Sequence, residues 1–381
     1  MPNYLDNAAT TPLDPAVLEA MMPFLRESYG NASSVHALGR RARFAVEESR
    51  ETVAGLLGAE PSEIVFTSGA TEANNLAIKG ALGRREGGLL TALTEHEAVL
   101  TPARTLRDAG RAVRFIEPSN GGGVALDAVA NALAGDIALV SLMHVNNETG
   151  VVNPIAEIAA SCRARGILVH TDAVQSAGHF APRVADLGVD MMSVSAHKFY
   201  GPKGVGCLYV RGGTELSGLV EGGSQERRRR GGTENVAAIV GLARAMQRAY
   251  AGHVEQGQRL TGLRNRLLEG LEARLAGAFI VNTPLGHAAP HILNIAFRPH
   301  EGKPIDGEML LLNMDMAGIA VSSGSACTSG AIEPSHVLLA MGVPRETAAA
   351  SVRFSLGRAT TEASIDHTVA MLKQIIDRMR R

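Results

Sequence analysis

The chain has 381 residues, of which 45% are hydrophobic and 20% are charged, and its formal net charge is −1. This composition is typical of a globular protein with a large core, and the balanced charge argues against binding to nucleic acid or an anionic membrane through a basic surface. The three cysteines, Cys162, Cys207 and Cys327, are too widely spaced for a disulfide framework or a CxxC zinc site.

The first residues lack the charged and then apolar profile of a signal peptide, and no apolar run is long enough to span a bilayer. The sequence also contains no repeat of fixed period and no low-complexity segment. We therefore expect a cytoplasmic protein whose thiols stay reduced.

Short apolar runs alternate with amphipathic stretches up to about residue 210, as is typical of a largely parallel sheet covered by helices. The first helix is predicted to begin after Asp14, with Pro15 in its first turn. A long helical pattern covers residues 249–275, and strands then mix with helices up to a final helix with an apolar stripe. We predict an α/β fold with a large domain over residues 14–250. Residues 1–13 and 251–381 are predicted to form a smaller α+β domain that carries Cys327.

Polar residues follow the predicted strands where each strand ends, and ligands of open α/β sheets bind just beyond those ends. The run "EIVFT" leads into the glycine turn "SGATEANN", where helix amides and the Thr71 hydroxyl form a candidate phosphate site. His96 and Asn147 follow two further strands. Each feature has an ordinary alternative: a common strand–glycine–helix turn, a solvent-facing histidine and a turn-forming asparagine.

The next two strands deliver a carboxylate and an amine. Asp172 and Gln175 follow "ILVHT", and an aspartate after a buried strand is costly unless a cation meets it. Ser195, His197 and Lys198 follow the next strand; desolvation there lowers the pKa of a lysine and yields the nucleophilic amine that imine chemistry requires. A phosphate cradle, an imidazole, a carboxylate and an amine at one sheet edge are the groups that pyridoxal phosphate needs.

Motifs that would indicate a nucleotide site or a metal site are weaker than those for pyridoxal phosphate. The stretch "GPKGVG" lacks the spacing of a nucleotide P-loop, and Pro290 in "HAAPH" disfavours the helix that a two-histidine metal site would use, so we predict no metal. The run "QERRRR" is typical of a solvated loop, although the following glycines and Thr233 could contact phosphate.

Cys327 lies in "SSGSACTSG", among serine, glycine, alanine and threonine residues. These neighbours favour a flexible loop, with a partly buried cysteine in a turn as the alternative. Cys162 and Cys207 lie in apolar patterns and are better explained as core residues.

Several motifs together resemble the NifS/IscS-type cysteine desulfurases of the class V aminotransferase group, and the resemblance runs from Tyr4 to the final helix. The motifs are "YLDNAATTP", "FTSGATEANN", "MHVNNETG", "HTDAVQSAG", "SAHKFYGPKGVG" and "SSGSACTSG". The lysine motif marks the broader group, and the cysteine motif marks the desulfurase branch. The resemblance implies the fold of the pyridoxal-phosphate-dependent transferases of fold type I, similar to aspartate aminotransferase, and a homodimer.

The resemblance also implies roles for individual residues. Lys198 would bind the cofactor covalently, His96 would stack on its ring, Asp172 would pair with the ring nitrogen, and Cys327, Lys198 and His96 would be catalytic. Asn147 and Arg353 would hold the substrate carboxylate, a role that a bidentate guanidinium suits. The remaining implied cofactor contacts are Ala70, Thr71, Asn147, Gln175, Ser195, His197 and, from the second subunit, Thr233.

The activity implied is conversion of L-cysteine to L-alanine, with the sulfur carried as a persulfide on Cys327. It would pass to an acceptor protein such as an iron–sulfur scaffold or a thiolation carrier, and the sequence does not choose between them. Two alternatives stay open: another class V enzyme, such as an aminotransferase or selenocysteine lyase, and a non-catalytic scaffold of the same fold.

Overall fold

The computed structural model describes residues 3–133, 135–323 and 333–380. The strands are β1 Asn3–Tyr4, β2 Ile64–Thr67, β3 Gly88–Ala92, β4 Val113–Ile116, β5 Ile137–Met143, β6 Leu168–Asp172, β7 Met191–Ser195, β8 Gly206–Val210, β9 Phe279–Val281, β10 Ile292–Phe297, β11 Ile319–Ala320 and β12 Ser351–Ser355. The α-helices are α1 Pro15–Arg26, α2 Ala37–Leu57, α3 Ala70–Asn75, α4 Glu97–Asp108, α5 Leu126–Ala132, α6 Ile155–Arg163, α7 Val184–Leu187, α8 Val236–Ala251, α9 His253–Leu275, α10 Gly307–Met316, α11 His336–Ala340, α12 Arg345–Ala349 and α13 Glu362–Met379.

The central sheet has seven strands in the order β2-β8-β7-β6-β5-β3-β4. Strand β8 runs antiparallel to both of its neighbours, and the other neighbouring pairs are parallel. Strands β2, β3, β5, β6 and β7 therefore all end at the same edge of the sheet. The prediction of a largely parallel α/β sheet is confirmed.

Local sequence signals explain where several helices begin and end. Asp14 caps α1, because its Oδ1 accepts a hydrogen bond from the Ala16 amide at 2.9 Å and Pro15 fills the first helical position. The helical pattern over residues 249–275 is divided at Gly252, which separates α8 from α9. None of the helices in the described part of the chain combines the length and the apolar character that a membrane span requires.

Apolar side chains cover both faces of the central sheet. One cluster packs against α1, α2, α6 and α8, and a second packs against α3 and α4. A third cluster surrounds the antiparallel sheet β12-β10-β9 and joins Leu5 to residues of α9, α10 and α13. The first residues of the chain therefore pack against its last third, and the division into two domains stays a prediction.

The arginine-rich segment "QERRRR" is anchored through Glu226, which is buried. Arg50 on α2 pairs with both carboxylate oxygens of Glu226, at 2.8 Å and 2.9 Å, and the Phe66 amide donates to the same carboxylate at 2.9 Å. The expectation of a solvated segment holds for Arg227 and Arg228, which are exposed, and is wrong for Glu226. The prediction was wrong for Glu226 because its partner, Arg50, lies 176 residues away in the sequence.

We expect Glu226→Ala to lower the free energy of unfolding by about 3–5 kcal/mol, because it removes the buried carboxylate that pairs with the buried Arg50 and leaves only the half-exposed Glu47 as a charged partner. Denaturant unfolding followed by circular dichroism measures this loss. Glu333→Ala is the matched control, because Glu333 forms an exposed ion pair with Arg345 and its loss should cost far less. Equal losses in the two variants would contradict the anchoring role of Glu226.

Candidate active site

A cavity of about 670 Å³ lies where β2, β3, β5, β6 and β7 end. Residues 8–10 of the N-terminal segment form one wall, and Arg353 on β12 contributes to another. The volume falls in the range of cavities that hold a cofactor or a small ligand. The parallel strands thus bring polar residues from distant parts of the sequence to one place.

Most of the predicted site residues line this cavity. They are Ala70, Thr71, His96, Asn147, Asp172, Gln175, Ser195, His197, Lys198 and Arg353. Thr233 is exposed and does not line the cavity of its own chain, so its contact from a second subunit stays a prediction. Cys327 lies outside the described residues.

Lys198 follows the end of β7 and directs its amine at the N-terminal segment. Its Nζ donates hydrogen bonds to the carbonyl oxygens of Ala8 and Ala9, at 2.6 Å and 2.8 Å. Burial, together with the nearby Arg353 guanidinium, lowers the pKa of Lys198 to about 8, although Asp172 and Asp6 oppose the shift. About half of the amine is therefore neutral near pH 8.

Asp172 is the last residue of β6, and its buried carboxylate is held by neutral donors. The side-chain amide of Asn74 donates to Oδ2 at 2.7 Å, and the Val174 amide donates to Oδ1 at 3.0 Å. Hydrogen bonds from neutral groups stabilise the ionised carboxylate without neutralising its charge. The wall of the cavity therefore carries a negative charge that suits a cationic group on a ligand.

His96 caps α4 and lies at the end of the β3 segment. Its Nδ1 accepts a hydrogen bond from the Ala98 amide at 3.0 Å, which leaves Nε2 as the nitrogen that can exchange a proton with a ligand. Burial is the main cause that lowers the pKa of His96 below its usual value. The ring is therefore a flat, neutral surface near neutral pH.

The turn between β2 and α3 is the candidate phosphate site of the cavity. Gly69, with φ of 151°, precedes Ala70 and Thr71 at the start of α3, and Ser195 and His197 lie opposite. Burial lowers the pKa of His197 to about 4, and its Nδ1 lies 3.1 Å from the Thr10 hydroxyl. Helix amides and hydroxyl groups of this kind bind phosphate.

Arg353 is almost fully buried and is fixed by groups from three segments. Its Nη1 donates to the carbonyl oxygen of Asn147 at 2.8 Å, and its Nη2 donates to Asp6 Oδ1 at 2.9 Å and to Ser322 Oγ at 2.8 Å. Its Nε is buried and has no hydrogen-bond partner among the residues that the structure describes. Arg353 thus lines the cavity with a guanidinium whose Nη1 and Nη2 groups are already held by the chain.

Gln175 shares an acceptor with Lys198. Its Nε2 donates to the Ala8 carbonyl oxygen at 2.9 Å, and its Oε1 lies 3.5 Å from His291 Nε2. Both ends of the Gln175 amide are therefore oriented by contacts within the chain.

Sequence reasoning missed Asp6 and Asn74, which position Arg353 and Asp172. Both residues lie within quoted motifs, "YLDNAATTP" and "FTSGATEANN". A single sequence does not show which polar residue of a motif contacts a side chain many residues away.

A family model described as aminotransferase class-V matches residues 3–368. The chain belongs to the class V aminotransferase family. Cysteine desulfurase IscS of Dictyoglomus turgidum is 45% identical over 380 residues, which cover 99% of this chain and 95% of that protein.

Solved structures of this family are also similar to the chain. A NifS-like protein has a TM-score of 0.91 and 38% identity, and the match covers 99% of this chain and 100% of the other. A structure titled SspA in complex with cysteine has a TM-score of 0.82 and 36% identity, with 93% of this chain and 98% of the other covered. The predicted family and the predicted fold of the pyridoxal-phosphate-dependent transferases are confirmed.

Class V aminotransferases use pyridoxal phosphate, and the residues around the cavity fit this cofactor. Lys198 supplies an amine of lowered pKa, and Asp172 supplies a buried carboxylate held by neutral donors. The turn after β2 supplies amides and hydroxyl groups for a phosphate.

The low pKa of Lys198 predicts how the cofactor-free protein reacts with pyridoxal phosphate. Because only the neutral amine attacks the aldehyde, the rate of covalent binding should rise with pH, with a midpoint near 8. Stopped-flow absorbance from pH 6.5 to 10 (roughly the span between an ordinary histidine and an ordinary lysine) measures the midpoint. Lys198→Ala should form no covalent adduct at any pH. A midpoint near 10.4, the ordinary value for lysine, would contradict the assigned environment.

Proposed function

We propose that this protein is a cysteine desulfurase that converts L-cysteine to L-alanine and transfers the sulfur to an acceptor. The observation that carries the proposal is that Lys198, Asp172 and Arg353 line one cavity in a chain 45% identical to a cysteine desulfurase. A similar solved structure is titled as a complex with cysteine, which supports cysteine as the substrate.

The cofactor residues proposed are those around the cavity. Lys198 binds the aldehyde, Asp172 pairs with the ring nitrogen, His96 covers the ring, and Gln175 hydrogen-bonds the ring hydroxyl. The phosphate contacts proposed are Ala70, Thr71, Ser195, His197 and, from a second subunit, Thr233. When bound, pyridoxal phosphate withdraws electrons from the α-carbon of an amino acid.

Lys198 and His96 are proposed to move the protons of the reaction. An amine with a pKa of about 8 can take a proton from the α-carbon of the substrate and return one when L-alanine forms. His96 can exchange a proton with the substrate thiol only through Nε2, because Nδ1 accepts the Ala98 amide. Arg353 and Asn147 hold the substrate carboxylate in this arrangement.

Cys327 is proposed to accept the sulfur. In the balanced reaction, L-cysteine and the Cys327 thiol give L-alanine and a Cys327 persulfide: the carbon–sulfur bond of the substrate breaks and a sulfur–sulfur bond forms. Cys162 and Cys207 are buried, and burial raises their pKa to about 11 and about 12. Neither of them is a thiolate near neutral pH, which supports Cys327 as the carrier.

A homodimer is proposed together with a cytoplasmic location and an acceptor that is an iron–sulfur scaffold or a thiolation carrier. The segment before and within the start of α2 exposes large apolar side chains, with Tyr29 at 74%, Val35 at 85% and Phe44 at 69% exposure. Apolar groups exposed this far are typical of an interface between subunits. A dimer would also allow Thr233, exposed in its own chain, to reach the cavity of the partner.

Anaerobic incubation of the holoenzyme with L-cysteine and a thiol reductant tests the proposed activity. We expect L-alanine and sulfide in equal amounts and no requirement for a keto acid. Pyruvate and ammonia in place of L-alanine would indicate a lyase, and dependence on a keto acid would indicate an aminotransferase. Either result would overturn the proposal.

Cys327→Ala should lose turnover while it retains the cofactor. We expect sulfide release to fall at least about 100-fold, because the acceptor of the sulfur is gone, with an unchanged absorbance response to L-cysteine. Cys162→Ala is the matched control and should turn over as the parent protein does, since Cys162 is a core residue. Normal L-alanine release by Cys327→Ala would remove this thiol from the mechanism.

A further inference from the structure

Arg353, the proposed ligand of the substrate carboxylate, already pairs with a carboxylate of this chain. Asp6 Oδ1 accepts from Arg353 Nη2 at 2.9 Å, and the Asp6 side chain is 20% exposed while that of Arg353 is 5% exposed. The Ser322 hydroxyl joins the pair, because it donates to Asp6 Oδ1 at 3.1 Å and accepts from Arg353 Nη2 at 2.8 Å. Asp6 is therefore a carboxylate partner of Arg353 that the chain itself supplies.

The donors of Arg353 show what an incoming carboxylate can use. A guanidinium has five N–H donors. Nη2 is engaged by Asp6 and Ser322, and Nη1 is engaged by the Asn147 carbonyl oxygen. Nε has no partner within the described ranges, but this atom is fully buried, so the second Nη1 donor is what remains for an incoming carboxylate. A substrate carboxylate bound there would share one positive charge with Asp6.

We propose that Asp6 competes with the ligand carboxylate for Arg353 and so limits the affinity of the site for L-cysteine and L-alanine alike. The inference rests on the proposed function, in which Arg353 holds the α-carboxylate. Two carboxylates on one guanidinium repel each other, and the first lowers the electrostatic attraction available to the second.

This competition would help the product to leave. L-cysteine and L-alanine carry the same α-carboxylate, so a stronger contact with Arg353 would tighten substrate and product equally. Binding that is equal in all states does not speed the chemical step, and tight product binding slows release. Asp6 also prevents Arg353 from being a buried charge without a carboxylate partner, which would be costly.

A purely structural role for Asp6 predicts the opposite effect of its loss. In that case Asp6 only orients Arg353 and joins the N-terminal segment to β12, and any substitution weakens ligand binding. Asp6→Asn separates the two roles, because the amide keeps an oxygen acceptor for Arg353 and Ser322 but removes the negative charge.

The experiment titrates the Asp6→Asn holoenzyme with L-alanine and follows the cofactor absorbance. L-alanine is the probe because it has the carboxylate and no sulfur to transfer. We expect its dissociation constant to fall about tenfold, as expected when like-charge repulsion is removed, and KM for L-cysteine to fall with it. Ethylamine, which lacks the carboxylate, should bind the variant and the parent protein equally.

Asp366→Asn is the matched control, because Asp366 forms an exposed ion pair with Arg266 on the outer surface, and it should leave L-alanine binding unchanged. Unchanged or weaker L-alanine binding by Asp6→Asn would overturn the inference, and so would an equal gain for ethylamine. If Asp6→Asn does not fold, Asp6→Ser, which also keeps an oxygen without a charge, is measured with the same expected sign. A parent holoenzyme that neither responds to L-alanine nor forms it from L-cysteine would overturn the proposed function and the inference together.

Discussion

The low pKa of the Lys198 amine depends on a contact between the N-terminal segment and the central sheet. The carbonyl oxygens of Ala8 and Ala9 accept its hydrogen bonds, and burial keeps its pKa at about 8. Thr11 adds to the same junction, because its backbone amide donates to the His197 carbonyl oxygen at 2.9 Å. The N-terminal segment keeps water away from the end of β7, and this desolvation favours the neutral, reactive amine over the solvated ammonium.

The charges around that amine are balanced in two different ways. Asp172 is held by hydrogen bonds from the neutral groups of Asn74 and Val174, so no cation of the chain compensates its charge in these contacts. Arg353 is instead paired with Asp6, so a carboxylate of the chain itself partly balances its positive charge. The site therefore offers a strong contact for a cationic ring nitrogen and a moderated contact for a carboxylate, a combination suited to a retained cofactor and an exchanging amino acid.

The sequence predicts the residues that follow strand ends, because parallel strands must deliver their last side chains to one edge. Lys198, Asp172 and His96 could be placed in this way. It does not predict the partners Asp6, Asn74 and Glu226, which lie 347, 98 and 176 residues from the groups they bind. These contacts depend on tertiary packing, for which no local pattern exists, and the same reason explains the error over the arginine-rich segment.

The central claim is that substrate sulfur moves onto one thiol of the chain. Its most direct test is mass spectrometry of peptides from the holoenzyme after anaerobic reaction with L-cysteine and rapid alkylation. We expect one additional sulfur, about 32 Da, on the peptide that contains Cys327, and none on the peptides of the buried Cys162 and Cys207. No added sulfur on Cys327, or an equal addition to either buried cysteine, would contradict it.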